Sequence, residues 1–398
     1  MYWVSAKIPS DQFLLYAFDG APDVEPAVAE VRARAGRCPE LLLRVDGAGR
    51  WRYPRWVRGE AAPVRTHDAT DWAGCLEALA ALAVDQLDPT HQTWCLHVFP
   101  GVQDVPGASG PGVVVVLQIS HVLGDGIRSS ALAARLFGRD EPIPVVRLRP
   151  WRPLPLLAWE ASRAHRDLVR DTASGMVAPP APLWPVQRTN DRPAGPIALR
   201  TIVRPRAQLP GPTVTVGVLA AVGLALADHL GAADLGAEVP MAKPGVRYAN
   251  NHFGNVSVGL YPTLTLPDRA DRIAADLAAR RQRGAHRAAV AADAASASVP
   301  APILRWGIAQ FDIELRSDTV GGNTVVSSVN RGAADLHFGG CPVLLTAGYP
   351  ALSPMMGLTH GVHGIGDTVA ISVHAAASAL PDLDGYVWSL AAALDRPR

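Results

Sequence analysis

The chain lacks any long hydrophobic run. Nowhere in its 398 residues do roughly 18 uncharged apolar residues follow one another, so no membrane-spanning helix is expected. Cysteine is scarce as well. The four present, Cys38, Cys75, Cys95 and Cys341, include no C-x-x-C pair, which argues against a zinc knuckle or a disulfide framework and predicts buried free thiols. An excess of one charge is also missing, since 37 basic residues stand against 36 acidic ones for a net of +1. Composition therefore shows no footprint for nucleic acid or an anionic surface, and a small neutral partner fits better. The opening residues, Met1 to Lys7, carry no basic region followed by a long apolar core, so the expected location is the cytoplasm, with peripheral membrane contact left open.

What is present describes a globular protein. Hydrophobic residues make up 48% and charged residues 18%, which suits neither disorder nor a coiled coil. The length leaves room for two domains or one large pseudo-repeat around a deep site. Spacing predicts an amphipathic helix from Asp71 to Leu87, with Asp71 helping to start it. Trp94 to Phe99 is β-prone, and the valine-rich run Gly112 to Ser120 reads as a strand buried on both faces. Helical spacing resumes from Ser129 to Phe137. The proline-rich stretch 179–197 reads as a linker between an N-terminal half, 1–178, and a C-terminal half, 198–398. Beyond it, patterning predicts a strand over 198–203, helices over 213–230 and 267–287, short strands near 323–329, 342–347 and 368–375, and a closing helix over 383–394.

The sharpest local feature is Ser120-His121-Val122-Leu123-Gly124-Asp125-Gly126, lying at a strand-to-helix turn. A histidine held rigidly at a strand end can take a proton from a hydroxyl or amine at neutral pH and return it to a leaving group. Gly124 and Gly126 permit the tight path, and Gly126 would let the next helix or a substrate approach. Asp125 reads as a brace for the turn, through backbone donors or an arginine such as Arg128, rather than as a second base. Asn255 and Ser257, in a short polar segment, are candidates to hydrogen-bond a substrate. Thr359 to Gly364 holds two histidines, His360 and His363, but reads as a glycine-rich loop with solvated side chains rather than a metal pair. Asn251-His252 directly precedes the segment of Asn255 and Ser257 and is a candidate to line the same site, though a surface histidine is the plainer reading. Trp51, Trp56, Trp94, Trp151 and Trp184 read as core or linker anchors rather than a ligand box.

The H-x-x-x-D-G signature at His121 to Gly126 resembles that of the CoA-dependent acyltransferase superfamily. The fuller resemblance is to the bacterial wax ester synthase/diacylglycerol acyltransferase family. It is carried in order by Ser10 to Leu14, Leu87-Asp88, Trp94 to Phe99, the histidine motif, Phe253 to Ser257 with Leu260-Tyr261-Pro262, Val326 to Gly332, Gly340 to Val343, Tyr349-Pro350, Ser353-Pro354 and Leu380 to Leu383. This resemblance implies an α/β (α+β) fold of two chloramphenicol acetyltransferase-like halves in pseudo-dimeric arrangement around a central channel. It implies catalysis by His121 and Asp125, with Ser120, Gly126, Asn255 and Ser257 near substrate. His121 would deprotonate a hydroxyl acceptor that attacks an acyl-CoA, or an acyl-phosphopantetheine, directly.

No covalent acyl-enzyme is implied, in keeping with the absence of a G-x-S-x-G elbow. Nor is a metal or a permanently bound cofactor; the acyl thioester is a co-substrate and an acyl carrier protein is a conceivable partner. The chain departs from the family pattern at Ser120, where a first histidine is usual, around Val216-Gly217, and in the proline-free Val326 to Gly332 segment. These departures point to a specialised metabolite or lipid alcohol as acceptor. Two alternatives stay open: condensation-type transfer from a carrier-protein thioester to an amine or alcohol, and a catalytically silent thioester-binding relative.

Overall fold

The computed structural model describes residues 2–47, 49 and 51–395, so Met1 and residues 396–398 at the two expected domain limits lie outside it. The run Val113-Val114-Val115-Val116 explains the centre of the first half. β-branched side chains suit a pleated strand covered on both faces, and β6 (Gly112–Ser120) is buried at all nine positions. It lies between β1 (Asp11–Phe18) and β5 (Trp94–Val102), antiparallel to both. β4 (Val64–Thr66) pairs parallel outside β5, while β2 (Leu43–Asp46) and β3 (Arg55–Arg58) form a separate hairpin.

The other side of β1 is filled from far down the chain. β14 (Cys341–Gly348), extended by β13 (His337–Phe338), pairs antiparallel with β1. The six-stranded order is β13-β14-β1-β6-β5-β4. Helices α2 (Val24–Gly36) and α4 (Gly126–Leu136) cover one face, and α3 (Trp72–Leu82) covers the other. α3 begins where expected, with Asp71 accepting from the Gly74 N–H at 2.8 Å, but ends five residues early. The freed Gln86 and Leu87 instead tie down β1: Gln86 accepts from the backbone of Ser10 and Asp11, and the Leu87 N–H donates to Asp11.

The long helix α5 (Leu154–Ala173) leads into the expected linker, which carries the two-residue β7 (Trp184–Pro185) and a 3-10 turn over Arg188–Asn190. Then comes a second six-stranded sheet, of order β10-β9-β12-β15-β16-β8. Its strands are β8 (Ile197–Pro205), β9 (Gly236–Ala242), β10 (Phe253–Gly259), β12 (Thr324–Asn330), β15 (Leu358–Ile365) and β16 (Thr368–Ala376). The short β11 (Thr319–Val320) pairs with β7. Against this sheet pack α6 (Val214–Leu230), α7 (Leu266–Gly284) and α10 (Leu383–Leu394). α6 is capped by Thr213 and stopped by left-handed Gly231, the residue type that tolerates that conformation. The helix expected over 267–287 breaks after Gly284, and His286 caps a new one, α8 (Arg287–Ala297), by accepting from the Ala288 N–H. Two more complete the set, α1 (Tyr2–Ser5) and α9 (Ala301–Gln310).

Thr359 to Gly364 is not a solvated loop. It is the middle of β15, buried at every position and paired on both sides. Gly361 marks close packing rather than a turn, since a Cβ there would lie 1.9 Å from the Gly348 carbonyl oxygen. His360 and His363, three apart on a strand, point to opposite faces and share no metal. His360 lies between the hydroxyls of Thr324 and Tyr386, at 2.9 Å from each. The tryptophan expectation holds only in part. Trp94 and Trp184 are buried, but Trp51 and Trp151 stand 80% and 86% exposed, and Trp56 is exposed too.

Candidate active site

β6 ends at Ser120 and α4 starts at Gly126, so residues 121–125 form the loop between a rigid strand and the helix it feeds. Asp125 is the helix N-cap, one carboxylate oxygen accepting from the Arg128 N–H at 3.1 Å. Its other oxygen accepts from the Arg247 guanidinium at 2.7 Å and from the His252 N–H at 2.8 Å. With three donors on a buried carboxylate, Asp125 acts as a brace across the two halves. Arg128 is not its ion-pair partner: that guanidinium is buried and donates to the Leu123 and Pro144 carbonyls.

The loop is clamped from the second half by residues 247–252. Asn250 donates to the Val122 carbonyl, and the Asp125 N–H donates to the Asn250 carbonyl. Asn251 donates through Nδ2 to the His121 carbonyl at 2.6 Å, which turns its Oδ1 toward His121 Nδ1 at 3.1 Å. An amide oxygen there can only accept, so the imidazole hydrogen sits on Nδ1 and Nε2 keeps its lone pair. No protein donor bonds Nε2 among the described residues. The half-buried ring is stacked on Phe253, with centroids 5.7 Å apart. Burial pushes the His121 pKa below the usual histidine value, while the Asn251 bond and the nearby Asp125 charge oppose that shift. The ring is thus a neutral base at neutral pH. From below, Gln12 of β1 donates to the Gly124 carbonyl at 2.9 Å and to Ser129.

The other expected site residues are more dispersed. Ser120 is buried, and its hydroxyl accepts from the Val122 N–H at 3.4 Å. Gly126 faces β12 across the halves; a Cβ there would meet Val329 at an ordinary 3.5 Å, so the space does not demand glycine. Asn255 is exposed and donates to Glu238 at 2.9 Å, and Ser257 accepts from the Trp184 indole at 2.9 Å. Neither makes a contact with His121; the β10 residue that does is Phe253. Arg247, Asn250 and Gln12 join the site although the histidine motif does not signal them. The available signal was the polar run Asn250-Asn251-His252 just ahead of Phe253-Gly254-Asn255.

The thiols do not compete as nucleophiles, because burial holds Cys95 at about 11 and Cys75 at about 12. Asp125→Ala should leave Arg247 buried without its carboxylate and cost about 3–5 kcal/mol, read as a lower urea midpoint, with Asp125→Asn recovering part of the loss. An unchanged midpoint would show that the brace is not needed for the fold.

No family model and no curated protein matches the chain. Solved structures do. The wax ester synthase/diacylglycerol acyltransferase from Marinobacter aquaeolei VT8 superposes with a TM-score of 0.61 at 18% identity, covering 97% of this chain and 93% of that one. The first condensation domain of the CDA synthetase gives 0.60 at 16% identity, covering 98% and 92%. The starter condensation domain of rhizomide synthetase, in complex with C8-CoA and Leu-SNAC, gives 0.59 at 13% identity, covering 100% and 93%. The chain shares their fold, a mixed α/β architecture of two chloramphenicol acetyltransferase-like halves.

Proposed function

We propose that the protein is an acyltransferase that moves an acyl group from CoA to a hydroxyl acceptor, with His121 as general base. The observation that carries this reading is the orientation of one imidazole: Asn251 accepts at Nδ1, and Nε2 is left as a base at the seam between the halves. In the reaction, Nε2 takes the hydroxyl proton as the oxygen attacks the thioester carbonyl. The C–S bond then breaks, and the same proton passes to the departing CoA thiolate. Asp125, Arg247 and Asn250 hold the loop; Asn251 positions the ring. Bringing both substrates to one site removes a bimolecular encounter, worth up to about 7–11 kcal/mol of the barrier. An alcohol of a specialised metabolite or lipid is the acceptor this reading favours.

The test is product formation from acyl-CoAs of several lengths and a panel of alcohols, followed by release of free CoA thiol. The rate should fall toward acid with a midpoint below the ordinary histidine value, since only the neutral ring is active. Asn251→Ala should lower kcat about fivefold or more and move that midpoint further down, because the bond it removes favours the charged ring. A rate independent of pH between 5 and 8 would reject the base. Condensation domains cover the chain as fully as the wax ester synthase does, which favours a second reading, transfer from a carrier-protein thioester to an amine or alcohol. Turnover with an acyl carrier protein but not with acyl-CoA would select it. A rise in Tm with CoA and no product with any donor would instead mark a silent thioester-binding relative.

A further inference from the structure

One corner of the molecule leaves an apolar helix almost uncovered. α9 carries Ile303, Leu304, Trp306 and Ile308, yet its one fully buried residue is Ala301. Its neighbour is α1, and the two enclose an apolar groove of about 450 Å³ lined by side chains such as Val4, Ile8, Ile308 and Phe311. Lys7 closes the end of the groove by donating to the Ala309 and Phe311 carbonyls. The β2–β3 hairpin joins the same surface: Tyr53 stacks on Trp3 and hydrogen-bonds the Val299 carbonyl at the groove wall. Aromatic side chains therefore project from two elements side by side, with Trp51 80% and Trp306 66% exposed. A monomer in water rarely keeps such a concentration uncovered.

The charge around it is one-sided even though the whole chain is nearly neutral. Residues 51–58 hold Arg52, Arg55 and Arg58 and no acid. Lys7, Arg305 and Arg316 add to them, against Asp312, Glu314 and Asp318 on the stretch that follows α9. Glu314 is paired with Arg192, and Asp46 is paired with Arg55. Tryptophan and tyrosine at a polar–apolar boundary, ringed by arginine, is the pattern of a surface that settles among lipid headgroups. A second copy fits less well, since a two-fold contact would set this basic rim against itself.

We propose that α1, the β2–β3 hairpin and α9 form a docking surface for an anionic lipid bilayer. The aromatic side chains enter the headgroup layer, the groove takes up acyl-chain carbon, and the arginines pair with lipid phosphates.

The full-length protein is sedimented with vesicles of phosphatidylcholine alone and of phosphatidylcholine with phosphatidylglycerol, which needs no acyl transfer. Binding is expected to the anionic vesicles and to weaken with salt. Each basic residue near the surface should contribute about fivefold, so Arg52→Glu with Arg58→Glu should weaken binding by well over tenfold. Ile303→Ser with Trp306→Ser should remove it, while Trp388→Ser, an exposed tryptophan on α10, should not. Circular dichroism and Tm of each variant show that the fold is retained. Absence of binding, equal binding to both vesicles, or unchanged binding by the Ile303/Trp306 variant overturns the proposal. So does a dimer that depends on Ile303 and Trp306 in protein that ignores vesicles, because the surface then belongs to a second copy.

Discussion

Replacing His121 by alanine is expected to lower kcat for ester formation about 10²- to 10⁴-fold, the usual contribution of a positioned general base. The expected loss is in kcat rather than in folding. The His121 ring is half-buried, with Asn251 as its side-chain partner and the Gly124 backbone as a further one, so its removal takes little from the apolar core. The loop keeps its other ties, from Asn250 to the Val122 carbonyl, from Gln12 to the Gly124 carbonyl, and from Arg247 to Asp125. Steady-state kinetics and a thermal melt on the same preparation separate the two effects. A variant with the parent's rate would remove His121 from the mechanism; a variant that fails to fold would show the ring to be structural.

The second large effect is acid destabilisation. Burial holds His97, His360 and His374 at about 4 and His363 at about 3, all below the unfolded value of 6.5. Their folded pKa values are depressed, so below about 6.5 the unfolded chain binds protons that the folded chain refuses. Stability is therefore complete above that pH and is lost as pH falls through it. Each ring contributes ~2 kcal/mol of loss between pH 6.5 and 5. Asp11 works in the opposite sense. Burial raises it from 3.8 to about 6, so its protonation in the folded chain returns ~1 kcal/mol over the same range. The net loss is several kcal/mol, comparable with the whole stability of an ordinary domain. Calorimetry should show Tm falling steeply from pH 7 to pH 5, and a flat profile would mean that these imidazoles are hydrated.

Much of the first half could be read in the chain. The strand Gly112 to Ser120 has its predicted ends because four consecutive valines between glycine and a polar turn have few other uses. α6 and α10 likewise follow from local spacing and their caps. The clamp on His121 could not be read in the same way. Asn251 is 130 residues from His121, in an irregular segment with no period, and only the antiparallel pairing of β9 with β10 brings it there. β15 is a strand where local composition predicts a loop, for a related reason. Gly361 looks like a turn former locally, yet it is required by Gly348 on a strand of the other sheet lying against it, and no local pattern announces that neighbour. Asn255 and Ser257 show the converse: adjacent in sequence to the clamp, they turn away to Glu238 and Trp184.

The pairing of β14 with β1 bears on how the chain acquires its structure during synthesis. β1 leaves the ribosome well before its neighbour on one side, Cys341–Gly348, since 331 residues separate Leu15 from Thr346, whose hydroxyl donates to the Leu15 carbonyl. Until β14 is made, the first sheet therefore carries an open edge in β1, with Leu14, Tyr16 and Phe18 in a row along it. The first sheet cannot be completed without β14, whereas every strand of the second sheet comes from residues 197–376, so the first sheet is the one that depends on non-local pairing. An unfinished chain thus presents, along β1, the kind of unpaired apolar strand edge at which two copies can pair with each other instead of with β14.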